Sequence, residues 1–546
     1  MSWKFLLSIT LVASMSGYAQ SPKLPAIQQP VFRKDTLNIV AKGAKPDGYT
    51  LNTIAINDAI SVVHQKGGGV VLVPKGLWLT GPVVLKSNVN LHLLTGATLL
   101  FTDDFEQYPL VKGNWEGLPQ WRNQSPISAD GAENIAITGN GIIDGNGGAW
   151  RMVKKEKLTE SQWKKLLASG GVVSEDEKTW YPSEKNKRGN QLPPNPGLIV
   201  PDKSLAFYDS IKDFLRPNLL VLTKCKRILL EGVTFQNSPA WCLHPLMSEH
   251  ITVRNISVKN PWFAQNGDGI DVESCRYVLI ENSVFDVGDD ALCMKSGRDA
   301  AGRLRAMPTQ DVIIRGCTVY AAHGGFVIGS EMSGGARNIH VSNCTFMGTD
   351  IGLRFKTTRG RGGIVENIFI SDIYMKDIPG DAILFDMYYM AKDPVPMAGE
   401  KRELPKVERK PVDETTPSFR NFTIRNVYVN DAERAIFIRG LPEMPVKDIL
   451  LENMLLQAKK GIDIQEASNI VFRDVRVQAE ENDPSVDITQ SRNILFDKLN
   501  LGKNRMLSIR VNGDRTEGIV FRKSDINPPL LKFELGATQK SVTLEQ

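Results

Sequence analysis

The chain has 546 residues, of which 42% are hydrophobic and 23% charged, a composition that excludes intrinsic disorder as the default state. Lys and Arg total 66 against 61 Asp and Glu, a mild basic excess that suits a polyanionic partner without identifying one. The sequence has no dense run of Lys and Arg with interleaved aromatic residues, so we do not expect nucleic acid as a partner.

The first residues are typical of a secretory signal peptide, which we place at residues 1–19. Lys4 supplies the positive start, residues 5–13 are apolar, and residues 17–19 form a small-x-small cleavage site. The apolar run is too short to span a bilayer, and no later segment reaches that length. We therefore expect export to the periplasm or the extracellular medium, without membrane insertion.

The segment Asn52–His64 has apolar residues at helical spacing and predicts a short α-helix. It precedes the repeats described below. We expect it to cap their open N-terminal end, because an uncovered strand edge would pair with another chain.

Two long polar inserts interrupt the remaining chain, at about 150–216 and 390–418, and a shorter one covers 298–309. In the first insert, Thr159 and Gln162 have the spacing of a capping box, which predicts a short helix after them. Long segments of this kind in compact folds are usually functional or disordered.

A short phrase recurs through the chain: two alternating apolar positions, a polar pair, then two more alternating positions, as in Arg337–Phe346 and Arg420–Val429. Its first apolar position falls at residues 228, 251, 278, 312, 339, 368, 422, 449, 470, 494 and 519. Period-two alternation indicates strands, and units of this length without helices are coils of a solenoid. We predict that residues 20–546 form one all-β domain, a single-stranded right-handed parallel β-helix.

The cysteines match neither paired-thiol zinc ligation nor a redox CxxC motif. They are Cys225, Cys242, Cys275, Cys293, Cys317 and Cys344. Two of them, Cys317 and Cys344, share an inward position of the repeat with Val233. We expect the cysteines to be small packing residues.

Stacking the coils by register brings distant polar residues together. One strand of each coil aligns as Ile270–Glu273, Leu292–Lys295, Val327–Ser330 and Leu353–Lys356. Adjacent coils should be separated by roughly 4.8 Å. In this frame Asp268 lies one coil below Asp290. Asp289 and His323 lie at the same turn.

Arg354 and Lys356 project from a later coil on the same edge, about two coils, or roughly 10 Å, from Asp290. A single aspartate in a β-helix turn would be structural, because its side chain satisfies the backbone. Two consecutive aspartates beside a third repel one another, and proteins tolerate such clusters mainly where a metal or catalysis requires them. We interpret the cluster as a catalytic site.

Four segments carry a resemblance to a known family. Asn266–Asp271, Gly288–Asp290, His323-Gly324 and Arg354–Lys356 resemble, in order and in one-coil spacing, the signature segments of glycoside hydrolase family 28, the polygalacturonases. The resemblance extends from about residue 40 to about residue 520. Gly267 replaces the family's usual threonine and Ala322 precedes His323 where glycine is common, but neither change removes a reacting group.

The resemblance implies a pectin-lyase-like solenoid and an inverting hydrolase of α-1,4-galacturonosyl linkages in pectic polygalacturonate, with no cofactor and no metal. The implied catalytic residues are Asp268, Asp289, Asp290 and His323, and the expected substrate-binding residues are Asn266, Lys295, Arg354 and Lys356. Asp289 would be the general acid, which His323 would tune. Asp268 and Asp290 would hold and activate the attacking water. Arg354 and Lys356 would hold a uronate carboxylate.

The insert at 150–216 suggests the mode of attack. We expect it to fold over one end of the groove and make the enzyme exo-acting, with Trp150, Trp163 and Trp180 stacking on sugar rings.

Three other functions remain open. A pectate-lyase-like eliminase would use the aspartates to bind Ca²⁺ and a basic residue such as Arg354 to abstract a proton. A hydrolase of this kind could also cleave a rhamnogalacturonan or xylogalacturonan backbone. A carbohydrate-binding β-helix without catalysis would have no need of three crowded carboxylates.

Overall fold

A computed structural model describes residues 24–390, 407–481, 483–502, 508–524 and 526–546. The predicted signal peptide and most of the insert at 390–418 lie outside these residues. Within them, the strands stack in parallel in one large sheet, and the predicted right-handed parallel β-helix is confirmed. No helix of the described residues is long and apolar enough to cross a bilayer.

The helices are short and lie at one end of the solenoid or in inserts. They are α1 (Thr53–Gln65), α2 (Glu160–Ala168), α3 (Glu184–Asn190), α4 (Leu205–Asp209) and α5 (Asp299–Arg305). The predicted helix at Asn52–His64 is confirmed as α1, which buries Ile56 and Ile60 and packs on the first coils. The predicted capping box also forms, because the Thr159 amide donates to Gln162 Oε1 at 2.8 Å.

The strands of the N-terminal part are β1 (Thr36–Asn38), β2 (Gly69–Val73), β3 (Gly76–Thr80), β4 (Val83–Val84), β5 (Val89–Leu93), β6 (Ala97–Phe101), β7 (Leu110–Trp115), β8 (Leu118–Asn123), β9 (Ile127–Asp130), β10 (Glu133–Gly139), β11 (Ile142–Asp144), β12 (Val153–Lys154), β13 (Val172–Val173) and β14 (Thr179–Tyr181). The central strands are β15 (Leu220–Thr223), β16 (Lys226–Glu231), β17 (Thr234–Gln236), β18 (Leu243–Leu246), β19 (Glu249–Arg254), β20 (Ser257–Lys259), β21 (Ile270–Glu273), β22 (Arg276–Glu281), β23 (Val284–Asp286), β24 (Asp290–Lys295), β25 (Thr309–Arg315), β26 (Thr318–Val319), β27 (Gly324–Ile328), β28 (Ala336–Met347) and β29 (Leu353–Lys356). The C-terminal strands are β30 (Ile364–Asp386), β31 (Ser418–Arg439), β32 (Val446–Ala458), β33 (Lys460–Gln465), β34 (Ala467–Ala479), β35 (Val486–Thr489), β36 (Arg492–Asn500), β37 (Ile509–Asn512), β38 (Glu517–Arg522), β39 (Leu531–Glu534) and β40 (Val542–Glu545).

The recurring apolar position forms one continuous ladder through the core. Each of its members pairs with the same position of the next coil, namely Ile228, Ile251, Val278, Val312, Ile339, Ile368, Phe422, Ile449, Ile470, Ile494 and Ile519. All of them are buried. The repeat read from the sequence therefore gives the coil-to-coil register, since period-two alternation sends every second side chain inward.

The polar pair of the repeat forms a turn, which explains its asparagines. Asn255, Asn343, Asn426 and Asn453 all have φ between 52° and 55°, the left-handed region that Asn tolerates better than most residues. Their side chains also bond along the stack, as where Asn453 Nδ2 donates to Asn426 Oδ1 at 2.7 Å.

The six cysteines are all free and buried, which confirms their packing role. Five of them belong to the apolar core, whereas Cys293 faces the opposite side of its strand, beneath the carboxylates described below.

Two inserts stand outside the coils. Residues 150–216 form the three-stranded antiparallel sheet β12-β14-β13 and the helices α2, α3 and α4. Strands β7 and β8 form a separate antiparallel hairpin, which the repeat did not predict.

A phenylalanine cluster fills the core beneath the fourth strand of the site described next. The Phe355 ring centroid lies 4.5 Å from that of Phe385, 4.9 Å from Phe422 and 6.3 Å from Phe326. Phe355 is fully buried, so its truncation would leave a cavity among rings that cannot easily collapse.

We predict that Phe355→Ala destabilises the protein by about 3–5 kcal/mol, the usual range for a buried Phe. The measurement is the midpoint of denaturant unfolding. Phe369→Ala is the matched control, because Phe369 is only partly buried and stacks on His340 outside the core. Equal losses for the two variants would contradict the assignment of Phe355 to the core.

Candidate active site

Four parallel strands carry the predicted site: β21, β24, β27 and β29. Asp268 directly precedes β21, so the pairing of Ile270 with Leu292 places it beside Asp290, and the Gly269 amide donates to Asp290 O at 2.9 Å. The His323 amide donates to Asp289 O at 3.0 Å. These pairings place the four residues at one edge of the sheet, as the sequence predicts.

The predicted alignment of the third strand was wrong by one residue. Leu292 pairs with Phe326, not with Val327, and Phe326 pairs with Leu353. Every residue of β27 is buried, so the sequence shows no alternation there to set the register. The larger ring of Phe326 takes the inward position against Phe355.

Three carboxylates converge at this edge. One oxygen from each of Asp268, Asp289 and Asp290 lies within 4.8 Å of the other two. Asp268 and Asp290 are buried, whereas Asp289 is half-buried and reaches toward solvent. Burial raises the pKa of Asp268 well above its usual range, with help from the charges of Asp271 and Asp289, so Asp268 favours its protonated form.

Asp290 is held in the opposite state by two cations. Lys356 Nζ lies 2.7 Å from Asp290 Oδ2, and Arg354 Nη1 lies 3.1 Å from Asp290 Oδ1. Burial alone would raise the pKa of Asp290, but Lys356 and Arg354 lower it below its usual range. The predicted separation of roughly 10 Å applies to the backbones of β24 and β29. The charged groups of Lys356 and Arg354 contact Asp290 directly, because their long side chains extend back across two strand spacings.

His323 links Asp289 to a further carboxylate. Its Nδ1 lies 3.3 Å from Asp289 Oδ1, and its Nε2 lies 3.7 Å from Asp350 Oδ2. The hydrogen bond with Asp289 raises the pKa of His323 above its usual value, against the opposing effect of partial burial. Asp350 was not singled out by the sequence, since it lies in the turn before β29 outside the four motifs.

The other two residues predicted to bind substrate lie nearby with partners of their own. Lys295 is buried, with Nζ 2.9 Å from Glu331 Oε2 and 4.9 Å from the centroid of the Trp241 ring. Asn266 Oδ1 accepts a hydrogen bond from Arg216 at 2.9 Å. Both residues therefore border the aspartates, although Lys295 is already occupied by carboxylates.

The charges around Asp290 also determine whether the three aspartates could bind a metal ion. Three carboxylate oxygens this close could hold a cation, and Ca²⁺ would lie 2.3–2.6 Å from each ligand. Both oxygens of Asp290, however, are already bound by Lys356 and Arg354, so a divalent ion would be repelled by two fixed positive charges. The donor set fits a metal poorly.

A cavity of about 800 Å³ opens beside His323 and Asp350. Its far wall is formed by residues 151–154 with Lys157 and Leu158, so the insert does border the site. The exposed rings on its rim are Trp262, 67% exposed, and Phe263. These two rings were not singled out from the sequence. The feature that could have indicated them is the Pro261-Trp262-Phe263 segment shortly before the motif that begins at Asn266.

The rings of the three tryptophans that were predicted to stack on sugars do not line this cavity. Trp150, Trp163 and Trp180 are 0%, 7% and 7% exposed. Trp150 packs on Phe105 and Tyr108, which precede the β7–β8 hairpin, so its ring anchors the start of the insert to that segment. The prediction that these three rings bind sugar was wrong.

The β7–β8 hairpin contacts the chain just past one of the site strands, β24. Its base lies near the start of β9, and its tip reaches Gly297 and Arg298, just past the end of β24. Glu116 at the tip pairs with Arg298 at 3.1 Å. Gly117 has φ 77°, and a Cβ there would lie 2.5 Å from the Arg298 amide nitrogen, so only glycine allows this contact. The hairpin thus crosses the sheet beside the aspartates.

Comparison with known proteins gives consistent results. The family model for glycosyl hydrolases family 28 matches residues 212–430. A probable polygalacturonase of Vitis vinifera is 30% identical over 63% of this chain, which spans 61% of that relative. An exo-poly-alpha-D-galacturonosidase of Dickeya chrysanthemi is 28% identical over 80% of this chain and 70% of its own length.

Solved structures extend the similarity to the whole fold. An exopolygalacturonase from Thermotoga maritima is 30% identical, with a TM-score of 0.62, and covers 86% of this chain and 94% of its own. A family 28 exopolygalacturonase from Yersinia enterocolitica has a TM-score of 0.61 over 93% of this chain and 79% of its own, but at 20% identity it supports the fold alone.

We predict that the pKa of His323 falls toward the ordinary value of about 6.5 when Asp289→Asn removes the carboxylate. A raised pKa means that the stabilisation from this pair is complete below about pH 6.5 and disappears as the pH rises through the value in the folded protein. NMR of ¹³C-labelled histidine measures the titration, with His323→Gln to assign the signal.

Asp350→Asn is the matched control and should lower the His323 pKa less, because Asp350 is the more distant carboxylate. A titration unaffected by Asp289→Asn would contradict the pairing.

Proposed function

Because the chain belongs to glycoside hydrolase family 28, we propose that it hydrolyses the α-1,4-galacturonosyl linkages of pectic polygalacturonate. The observation that carries the proposal is the cluster of three carboxylates at one edge of the sheet, of which Asp268 is buried and Asp290 is bound by Lys356 and Arg354, so that their pKa values shift in opposite directions. Glycoside hydrolysis needs a proton donor and an ionised base at one bond, which such a cluster provides.

In the proposed reaction, Asp289 donates its proton to the glycosidic oxygen as the bond from that oxygen to the anomeric carbon breaks. It is the most exposed of the three aspartates and the one bonded to His323, so it can reach a sugar in the groove. Asp290, kept ionised by Lys356 and Arg354, accepts a proton from the attacking water. Asp268 holds that water in place.

The spacing of the carboxylates and the family resemblance differ on stereochemistry. Carboxyl groups about 5 Å apart are usual for retaining enzymes, and inverting enzymes usually have a wider gap. A retaining mechanism, however, requires a free carboxylate nucleophile. Asp290 is engaged at both oxygens and Asp268 favours its protonated form, so we propose the inverting mechanism that the resemblance implies.

The cations of the site serve substrate binding in this proposal. The Arg354 side chain is 15% exposed and bonds Asp290 and the His323 carbonyl through Nη1, so among the described residues Nη2 is left for a uronate carboxylate. Lys356 and Lys295 mainly balance the carboxylates, and Asn266 lies between Arg216 and the aspartates.

We further propose an exo mode of attack and export of the protein. The hairpin tip locked to Arg298 leaves little room for a polymer to continue past the aspartates toward the N-terminal coils. The predicted leader at residues 1–19 would direct the chain to the periplasm or the medium, where pectic polysaccharide is found.

Asp289→Asn should lower turnover of polygalacturonate by at least about 100-fold, the lower limit of general acid catalysis. The same variant should lose much less on an aryl galacturonide with a good leaving group, because that bond breaks without protonation. Initial rates on both substrates measure the difference, with Asp286→Asn as the control, since Asp286 is exposed at the end of the adjacent strand β23. Retention of more than a tenth of polygalacturonate turnover would exclude Asp289 as the acid.

The exo mode predicts early release of galacturonate with slow loss of viscosity. A variant in which a short glycine linker replaces residues 112–121 should release more oligomers, because the N-terminal end of the groove is open. Size-resolved products over time measure this, and Glu116→Gln, which removes only the pair with Arg298, should give an intermediate pattern. Rapid viscosity loss with mixed oligomers from the unaltered protein would contradict the exo mode.

A further inference from the structure

Three arginines next to the aspartates are covered by protein without a carboxylate to balance them. They are Arg122 in β8, Arg151 at the start of the insert and Arg216 at its end. Arg122 and Arg151 are 7% and 6% exposed, and Arg216 is half-buried. Among the described residues, no Asp or Glu forms an ion pair with any of the three.

Their existing hydrogen bonds go to neutral groups. Arg122 Nη2 donates to the carbonyl of Arg216, and Arg151 Nη2 donates to the carbonyl of Ser238. Arg216 donates to the carbonyls of Pro239 and Gln265 at 2.9 Å each. These carbonyls fix the guanidinium groups in position but carry no formal charge that would neutralise them.

Burying three arginine charges in this way is energetically unfavourable for the protein without a bound ligand. Burial, together with the charge of Arg216, lowers the pKa of Arg122 well below its usual range and that of Arg151 to about 9. The charge of Glu116 opposes this shift in both Arg122 and Arg216, but Glu116 is already paired with Arg298. Proteins keep buried cations of this kind where an anion is to be bound.

A small cavity lies where these groups meet. It measures about 70 Å³ and is lined by Arg122 and Arg216 with Trp115, Gln120, Asn195 and Phe214. A water molecule takes up about 30 Å³ of liquid volume, so the cavity can accept a carboxylate but not a whole sugar ring. Trp115, whose ring lies 3.8 Å from the Arg122 guanidinium carbon, holds that guanidinium flat.

The position of the cavity relative to the aspartates indicates which sugar of the substrate would lie beside it. Arg216 bonds Asn266, two residues before Asp268, and the charge of Asp268 acts on it directly. Lys356 and Arg354 lie on the other, C-terminal side of the aspartates. In the proposed exo mode, the hairpin that carries Arg122 closes the groove beyond this point, so the sugar here is the last one of the chain.

We propose that Arg122 and Arg216, with Arg151 behind them, bind the carboxylate of the terminal galacturonate on the side of the cleaved bond that the hairpin closes. This assignment rests on the proposed function and names the residues that would make the enzyme specific for an acidic chain end. A planar guanidinium binds a carboxylate through two parallel hydrogen bonds, which neither a neutral hexose nor a methyl ester can accept as a charged partner.

Binding to a catalytically impaired protein tests the proposal without turnover. The probe is digalacturonate, compared with digalacturonate methyl-esterified at its non-reducing end, titrated calorimetrically into Asp289→Asn protein. The free acid should bind at least about tenfold more tightly, and Arg122→Gln in the same background should abolish that preference, because a charged hydrogen bond is worth a factor of this size or more. Arg276→Gln, which changes an exposed arginine of β22, should leave it intact.

The assignment would be overturned if the Arg122→Gln variant had the same unfolding temperature as its parent and still bound the free acid more tightly than the ester. It would also be overturned if the Asp289→Asn protein bound the two ligands equally well. Arg216→Lys keeps the charge but loses the paired hydrogen bonds, and it should reduce the preference. If Arg122→Gln does not fold, the Arg216→Lys variant tests the assignment in its place, and an unchanged preference in that variant would overturn it. Failure of the proposed function is read separately, as the absence of reducing ends when unaltered protein meets polygalacturonate.

Discussion

Parallel stacking of one coil on the next is the constraint on which the rest of this structure depends. Each strand is fixed in register by its hydrogen bonds to the coil below, at the usual spacing of about 4.8 Å. Residues separated by 22 or 34 positions in the chain, such as Asp268 with Asp290 and Asp289 with His323, are therefore lateral neighbours. A rigid ladder of buried Ile, Val and Phe holds this edge of the sheet in position.

On this scaffold, electrostatics distinguishes three chemically identical side chains. Asp268 is buried and forms no ion pair within the part of the chain that the structure describes. Asp290 is buried between Lys356 and Arg354, and Asp289 is half-buried beside His323. The pKa values of Asp268 and Asp290 separate for that reason, since burial raises the first and the two cations lower the second. A substitution at Lys356 would change the protonation of Asp290 before it changed any contact with substrate.

The sequence predicts the solenoid well because one simple pattern repeats. The predicted inward position forms an unbroken ladder from Ile228 to Ile519, and the four motifs meet where their spacing places them. The register of β27 was missed because both faces of that strand are buried and alternation disappears. Whether Arg354 and Lys356 bind substrate or neutralise the aspartates stayed open in the sequence, because strand spacing does not show how far a long side chain reaches back.

The parts outside the repeat were harder to predict for a different reason. The β7–β8 hairpin and the 150–216 insert lack the 21–29-residue period, so nothing in the sequence indicated that Glu116 meets Arg298 or that Trp150 packs on Phe105. A tryptophan in a long insert has two possible roles, and only its burial distinguishes them. The arginines Arg122 and Arg216 stand out only once the fold shows that they donate to carbonyl groups and, among the residues described, form no ion pair with Asp or Glu.

The most direct test of the account is the stereochemistry of the first product, because it depends on Asp290 acting as a base toward water and not as a nucleophile. Proton NMR of the anomeric signals during the first minutes of digalacturonate cleavage measures it, before mutarotation mixes the anomers. The account predicts that galacturonate newly released from the α-linkage appears as the β-anomer. Initial appearance of the α-anomer would mean a covalent intermediate, and a vinyl proton signal would mean elimination. Either result would contradict the inverting mechanism.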